Sequence, residues 1–418
     1  MSENAAGRLR TSQLPEIVRQ APEPIETGAE YAPIVRLQRI IFEEAVAQDA
    51  SDIHIEPHSS STSVRFRING LMKDAFEVPR WLHDNLIARI KILSKLDISE
   101  RRVPQDGHIS AEESDGPEIR VSVLPSRSGE KVVMRLLRSN KSIRSLAELD
   151  LTPEIEDTLR ALVHRPQGAI LVVGPTGSGK TSTLYSMVHE VCREPLNIVT
   201  IEDPVEFEIE RITQVQVHEK AGLTFARALR AILRQDPDVI LVGEVRDGET
   251  AKTAFDAAMT GHLVLTTLHT TDCVSAAARL VELGVPRDQI ASGTAAIVAQ
   301  RLIRLNCPMC CEQDTPRPIY LRRLGIPECE QFRLRRGIGC PSCNFTGIKG
   351  RSGLYEVMEV NKEIRGVLQD GTEEDMRRVL RTNGVRGLME QSLDLVLSGA
   401  TSVAEAYRTC YFGGGPND

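Results

Sequence analysis

The sequence predicts an α/β protein with a smaller α+β domain ahead of it, on three observations. From Gln167 onward short apolar runs alternate with helical stretches: AILVVG, NIVTIEDP, DVILVGEVR and HLVLTTLH. Strands followed by helices in this way build a mostly parallel sheet. Before that point, between residues 31 and 140, segments such as SDIHIEP and TSVRFRING alternate apolar and polar residues, as half-buried strands do. After it come two CxxC pairs, CPMC and CPSC, a pattern suited to metal ligation.

Length and composition set the limits. A chain of 418 residues holds two or three domains. No stretch approaches the roughly 18 apolar residues of a membrane span, and MSENAAGRLRTSQ lacks the apolar core of a signal peptide. A cytosolic chain is expected, docking on a membrane through a partner. The net charge of -7, with 4% aromatics and one tryptophan, argues against a surface built for nucleic acid. Nine cysteines in such a chain are not a disulfide set.

Each segment has its reason. Residues 1–30 show no apolar periodicity and read as a flexible tail. IVRLQRIIFEEAVAQ places Ile34, Leu37, Ile41 and Ala45 on one helical face. SDIHIEP, TSVRFRING, EIRVSVLP and KVVMRLLR are strands, with the helix LIARIKILSKL among them. Residues 31–140 thus form the first domain, 141–166 a linker, and 167–418 the second domain. That second domain includes a metal-binding segment, 307–343, and C-terminal helices.

Chemistry concentrates at GPTGSGKT, between the strand AILVV and the helix STLYSMVHEV. GxxxxGK[ST] is met by Gly174, Gly179, Lys180 and Thr181. Pro175, Thr176, Gly177 and Ser178 complete the loop, and Ser182 follows it on the helix. Glycines let backbone N–H groups wrap a phosphate chain at a helix N-terminus; Lys180 adds charge and the Thr181 hydroxyl ligates Mg²⁺. NKSI and NKEI lack the aspartate of a guanine-reading NKxD, so ATP is the expected nucleotide.

DVILVGEVRD delivers Glu244 to the C-terminal end of a buried strand, where ligands of open α/β sheets bind. There an acid holds Mg²⁺ or its water, or orients the attacking water. TIEDPVE ends another strand in Glu202, Asp203 and Glu206. Glu202 is the candidate for polarising the lytic water, and Asp203 and Glu206 read as an acidic turn. In TGHLVLTTLHT, His269 lies at the phosphate end of its strand, suited to sensing a γ-phosphate, while His262 at the other end has a structural or interface role. TFARALRAILRQ carries Arg227, Arg230 and Arg234 on its polar face. Cys307, Cys310, Cys340 and Cys343 supply four thiolates for tetrahedral Zn²⁺ in a closed structural site, with 29 residues between the pairs. Cys192, Cys273, Cys311, Cys329 and Cys410 read as ordinary residues.

Together these motifs resemble one family, the secretion-superfamily hexameric ATPases, and within it the assembly ATPases of type II secretion and type IV pili. GPTGSGKT, TIEDPVE, ILRQDPDVILVGEVRD and TGHLVLTTLHT carry the likeness. So do SDIHIEP, RRVPQDGHI and RVSVLPSRSGEKVVMRLL upstream, and AQRLIRLNC, the CxxC pairs and GRSGLYEV downstream. The likeness covers about residues 31 to 410. It implies a RecA-like second domain, a PAS-like first domain, and a homo-hexameric ring with ATP sites. Glu244 matches the Walker B acid and Glu202 the acidic-box glutamate, and spacing assigns neither as the general base. Arg120 and Arg135 match arginines that approach the nucleotide phosphates. A cytoplasmic motor, peripheral at the inner membrane through a platform protein, is implied. Asn69 stands where the family often has aspartate. A short tail precedes Tyr31 where many assembly ATPases have a docking domain.

The expected function is ATP hydrolysis that powers assembly of a type II secretion pseudopilus or a type IV pilus. Pilus retraction, DNA uptake and conjugation are alternatives. Retraction motors usually lack the tetracysteine module, which favours assembly. A regulatory module that binds nucleotide without hydrolysing it is a third reading, disfavoured by Lys180, Glu244 and His269. A helicase is a fourth, disfavoured by acidic charge.

Overall fold

The structure is a computed structural model that describes residues 31–137, 144–192, 194–326 and 333–411. The expected tail, the final FGGGPND and Cys329 lie outside the described residues. The chain divides into two compact units, Met1–Lys141 and Ser142–Asp418.

The first unit is a six-stranded antiparallel sheet covered by two helices. α1 (Tyr31–Ala47) buries Ile34, Leu37, Ile41 and Ala45, the stripe its period predicts. The strands are β1 (Asp52–Pro57), β2 (Ser61–Ile68), β3 (Leu71–Pro79), β4 (Gln105–Ile109), β5 (Glu118–Ser126) and β6 (Gly129–Leu137). α2 (His83–Leu93) lies between β3 and β4. The sheet order is β3-β2-β1-β6-β5-β4. β2 and β3 meet through Asn69 and Gly70, both at positive φ, the two-residue hairpin that an Asn-Gly pair favours. Ile53 and Ile55 of β1 are fully buried with Val64, Phe66, Leu86 and Ile90. Each such side chain contributes about 1.5–3 kcal/mol by leaving water.

The second unit holds a seven-stranded sheet. Its strands are β7 (Gly168–Val173), β8 (Ile198–Glu202), β9 (Thr213–Gln216), β10 (Val239–Val242), β11 (Leu263–Leu268), β12 (Thr294–Asn306) and β15 (Ile348–Glu359). The short pair β13 (Cys311–Gln313) and β14 (Arg335–Gly337) forms a separate ribbon. The main order is β15-β12-β7-β11-β10-β8-β9, parallel except for the antiparallel edge strand β15. β7, β8, β10 and β11 are buried at every residue, which is why each reads as an apolar run rather than an alternation.

Of the stretch expected as a linker, 141–166, the described residues 144–166 contribute structure to this second unit. α3 (Pro153–Val163) starts at a Thr152 cap with Pro153 in its first turn. Leu146, Leu149, Leu159, Leu162 and Val163 are buried against Leu184, Tyr185 and Val188 of α4 (Lys180–Val191). At the far end the helix Val403–Cys410 is pinned to β12 by a buried ion pair. The Arg304 guanidinium meets the Glu405 carboxylate with Nε to Oε1 and Nη2 to Oε2, both 3.0 Å.

Candidate nucleotide site and cysteine cluster

Strand order places the candidate residues at one edge. β7, β11, β10 and β8 are neighbours and run parallel. The segments that leave their C-terminal ends therefore emerge side by side. These are the loop Gly174–Gly179 after β7, His269 after β11, Glu244 after β10, and Glu202 at the end of β8.

The loop after β7 closes tightly on its own backbone. Gly174 and Gly179 sit at φ 155 and 94. A Cβ at Gly174 would come within 2.5 Å of both the Gln300 carbonyl and Ser178 Oγ, so only glycine fits. Pro175, Thr176 and Gly177 are exposed at the mouth, as are Thr181 and Ser182 in the first turn of α4. Ser178 Oγ is buried with no hydrogen-bond partner among the described residues, and Thr270 Oγ1 beside His269 is in the same condition. Unsatisfied buried hydroxyls at a helix N-terminus suit an anionic occupant that accepts their hydrogens. The Lys180 ammonium is 9% exposed and donates to the carbonyls of Gly174 (2.8 Å) and Pro175 (3.1 Å). Burial holds its pKa below the ordinary lysine value; Glu244 opposes that shift and Arg301 adds to it.

The acids differ in their surroundings. Glu244 Oε1 meets Arg246 Nη2 at 2.5 Å, and Oε2 lies 3.4 Å from His269 Nε2. Arg246 also reaches Asp203 at 3.5 Å, so it ties the two acidic strand ends together. Its hydrogen bond to Glu244 raises its pKa further above the ordinary arginine value. Glu202, 4% exposed, is enclosed. Its Oε2 accepts from the Tyr185 hydroxyl, and its Oε1 accepts from Thr200 Oγ1 (2.6 Å) and Gln214 Nε2 (3.3 Å). The Tyr185 oxygen accepts in turn from the Glu206 peptide N–H at 3.3 Å. Burial, reinforced by Glu202, drives the Tyr185 pKa upward. Glu202 thus anchors the turn that carries Glu206, a half-buried acid the sequence treated as part of a simple turn.

Arg120 and Arg135 belong to the first unit. They face each other across β5 and β6. Arg135 Nε donates to Asp52 Oδ1 at 3.1 Å, and Asp52 also meets Arg67 at 3.6 Å. His262 Nδ1 lies 3.0 Å from the Ala257 carbonyl, at the end of α6 (Gly248–Met259). Arg230, on α5 (Phe225–Ile232), pairs with Glu249. Arg227 donates to the Gly222 carbonyl and Arg234 to the Arg230 carbonyl.

The four cysteines converge. Their sulfurs lie within 4.8 Å of one another. The pairs Cys307–Cys340, Cys310–Cys343 and Cys340–Cys343 are each 3.8 Å apart. Four sulfurs placed 2.3 Å from a central ion stand about 3.8 Å apart, so the donor set fits tetrahedral Zn²⁺. Peptide N–H groups of Gly339, Cys340 and Gly347 point at these sulfurs at 3.2–3.3 Å, the usual support for thiolates in such knuckles. Burial pushes the Cys310 thiol up to about 12. Burial also acts to raise Cys343, yet the N–H groups of Cys340 and Gly347 outweigh it and bring that thiol down to about 6. A cation here would draw off the remaining protons. The ribbon β13–β14 holds the two knuckles side by side. Cys192, Cys273, Cys311 and Cys410 stand outside the cluster.

A family model described as "Type II/IV secretion system protein" matches residues 27–408. The type II secretion system protein HxcR of Pseudomonas aeruginosa is 42% identical over 379 residues, covering 90% of this chain and 77% of that protein. The type II secretion system ATPase E of Vibrio cholerae is also 42% identical, covering 90% of this chain and 75% of that protein. The type IV pilus assembly ATPase PilB of Thermus thermophilus is 42% identical over 390 residues, which are 92% of this chain and 44% of that one. Among solved structures, the pilus retraction motor PilT with bound ADP matches at a TM-score of 0.61 and 26% identity, covering 88% of this chain and 96% of that one. The Legionella pneumophila ATPase DotB matches in fold, at a TM-score of 0.64, 20% identity and 92% and 97% coverage.

Proposed function

We infer how the site works from one premise: this chain belongs to the type II/IV secretion system protein family, and it is an ATPase of type II secretion or type IV pilus assembly. The observation that carries the rest is the convergence of the phosphate loop, Glu244 and His269 at one edge of adjacent parallel strands. In this reading the triphosphate of ATP lies in Gly174–Thr181. Lys180 leaves the carbonyls of Gly174 and Pro175 for the phosphate oxygens, and Ser178 gains the acceptor it lacks. Thr181 and Glu244 are the groups that would hold Mg²⁺. The ion, when bound, supplies charge neutralisation along the phosphates.

Glu202 stays in its enclosure and positions the turn. Water activation then falls to Glu244 and Glu206 rather than to Glu202. His269, whose Nε2 lies 3.4 Å from Glu244, is placed to report a γ-phosphate. The cysteine cluster would hold one structural Zn²⁺ through Cys307, Cys310, Cys340 and Cys343.

Six copies would assemble into a ring in the cytoplasm. Arg120 and Arg135 of the first unit would approach the phosphates there, as the family pattern implies, and loss of the γ-phosphate would release those contacts. The ring would dock on an inner-membrane platform protein. Among the described residues no helix is long and apolar enough to cross a membrane, so attachment through a partner is the matching arrangement. Assembly is preferred to retraction because the relatives of higher identity are named for secretion and pilus assembly.

Complementation tests this. In a host lacking its own assembly ATPase, this chain should restore fibre assembly and Glu244→Gln should not. Equal restoration by both would contradict a hydrolysis-driven motor.

A further inference from the structure

β12 does not stop where β7 stops. The two pair in parallel as far as Ala299 and Val173, and β12 continues to Asn306. Gln300 and Arg301 therefore run beneath the phosphate loop as it leaves β7. A Cβ at Gly174 would stand 3.1 Å from Arg301 Nη1, and one at Gly179 would stand 2.8 Å from Gln300 Nε2. Gln300 Oε1 also accepts from Thr183 of α4 at 2.8 Å.

Arg301 is 3% exposed. Its Nη1 donates to the Gln300 carbonyl at 3.0 Å, and its Nη2 donates to the Thr271 carbonyl at 2.8 Å. Thr271 ends the short turn that begins at His269, the residue beside Glu244. One planar guanidinium thus spans from the floor of the phosphate loop to the turn carrying His269. Its fork geometry allows this, and a lysine ammonium on a single stem does not match it.

Charge gives the arrangement a second consequence. Lys180 and Arg301 are both buried, and Arg301 disfavours the charge on Lys180, whereas Asp272 and Glu356 favour the charge on Arg301. Burial holds Arg301 below its ordinary pKa as well. A polyanion in the loop offsets the repulsion at Lys180 and adds to the attraction that Arg301 already feels from those carboxylates.

We propose that Arg301 is a positioning residue of the nucleotide site, acting from behind the phosphate loop without touching the phosphates. Its charge strengthens phosphate binding, and its two carbonyl bonds hold the His269–Thr271 turn in register with Gly174. The proposal rests on nucleotide occupying Gly174–Thr181, and the experiment separates the two claims.

Wild type, Arg301→Lys and Arg301→Gln are compared in calorimetric affinity for Mg·ADP and a non-hydrolysable ATP analogue, and in kcat and KM for ATP. Arg301→Gln should bind both nucleotides about tenfold more weakly or worse, because the charge is gone. Arg301→Lys should bind within about threefold of wild type yet lose about tenfold in kcat, because charge is kept and the bridge is not. Affinity following charge while turnover follows the bridge is a split that a packing role would not produce. Circular dichroism checks folding. If Arg301→Gln does not fold, Arg301→Lys alone decides: retained affinity with reduced kcat supports the proposal, whereas wild-type kcat, or parallel losses in both, overturns it. If wild type binds nucleotide and both variants match it throughout, the inference fails while the site assignment stands. If wild type binds no nucleotide, the assignment fails and takes the inference with it.

Discussion

Replacing Glu202 with glutamine distinguishes a positioning carboxylate from a catalytic one. The carboxylate accepts from Tyr185, Thr200 and Gln214. An amide keeps one acceptor oxygen and puts N–H hydrogens where the other stood. With its oxygen toward Tyr185, the amide puts its N–H hydrogens against the donor Gln214 Nε2; turned the other way, it takes the acceptor from Tyr185, whose oxygen already accepts from the Glu206 N–H. A hydrogen bond to a charged group contributes about 1.5–3 kcal/mol and a neutral one about 1 kcal/mol, so the exchange costs about 0.5–2 kcal/mol. In a unit of this size each kcal/mol moves the unfolding midpoint by about 2–4 °C, so a fall of about 1–8 °C is expected. Hydrolysis should fall by less than about tenfold, since only the turn's position is loosened. Glu244→Gln and Glu206→Gln should each lose about 10²–10⁴-fold, the range for removing a group that handles the proton or the water. Thermal unfolding by circular dichroism is read beside steady-state phosphate release at saturating Mg·ATP. An unchanged midpoint for Glu202→Gln, with turnover lost as fully as in Glu244→Gln, would make Glu202 the base and refute the reasoning.

Other residues give further tests. Elemental analysis of purified protein should find about one zinc per chain, and a chelator should lower the unfolding midpoint by removing metal-coupled folding energy on the order of 10 kcal/mol; protein that is folded and metal-free contradicts the cluster's assignment. Burial acts to raise Glu405, but hydrogen bonds from Arg408 and Arg304 outweigh it and hold the folded pKa below the ordinary value. The stability it contributes is therefore present above its unfolded pKa, about 4.3, and is lost as pH falls through the folded one. Glu405→Gln should flatten that acid limb in urea titrations, and an acid limb identical to wild type would show that the pair contributes nothing. Arg135→Ala should leave stability within about 1 kcal/mol, because Arg135 is itself exposed and the buried Asp52 carboxylate keeps Arg67 (3.6 Å) and Ser51 Oγ (2.8 Å) as partners. Turnover should fall far more in the assembled ring than in dilute monomer, and equal turnover losses would exclude a role at the phosphates.

Local signals were readable where the chemistry is local. The phosphate loop, the strand before Glu244 and the strand before His269 are continuous in sequence, and a parallel sheet puts such strand ends on one edge automatically. The enclosure of Glu202 was not readable, because its donors come from α4, β8 and β9, and only the fold joins them. Arg301 was hidden for a similar reason: it bonds to backbone carbonyls, which no sequence pattern advertises. Its strand carries a signal nonetheless, since Ala295–Ala299 is an apolar run ending in polar residues, as AILVVGPT is. Residues 141–166 looked like a linker on position alone. Thr152, Pro153 and the spacing of Leu159, Leu162 and Val163 are ordinary helix-start and buried-face signals, and they place the segment in the second unit's core. β3 and β4 are short or partly exposed, and they alternate too weakly to stand out.

Mg·ATP binding and phosphate release by the wild-type chain, set against Lys180→Ala, show whether the Gly174–Thr181 loop grips a triphosphate. Wild type should bind and hydrolyse ATP, and Lys180→Ala, folded to the same midpoint, should do neither. Undiminished hydrolysis by Lys180→Ala would contradict this, because the buried ammonium would then have no part in gripping the phosphates.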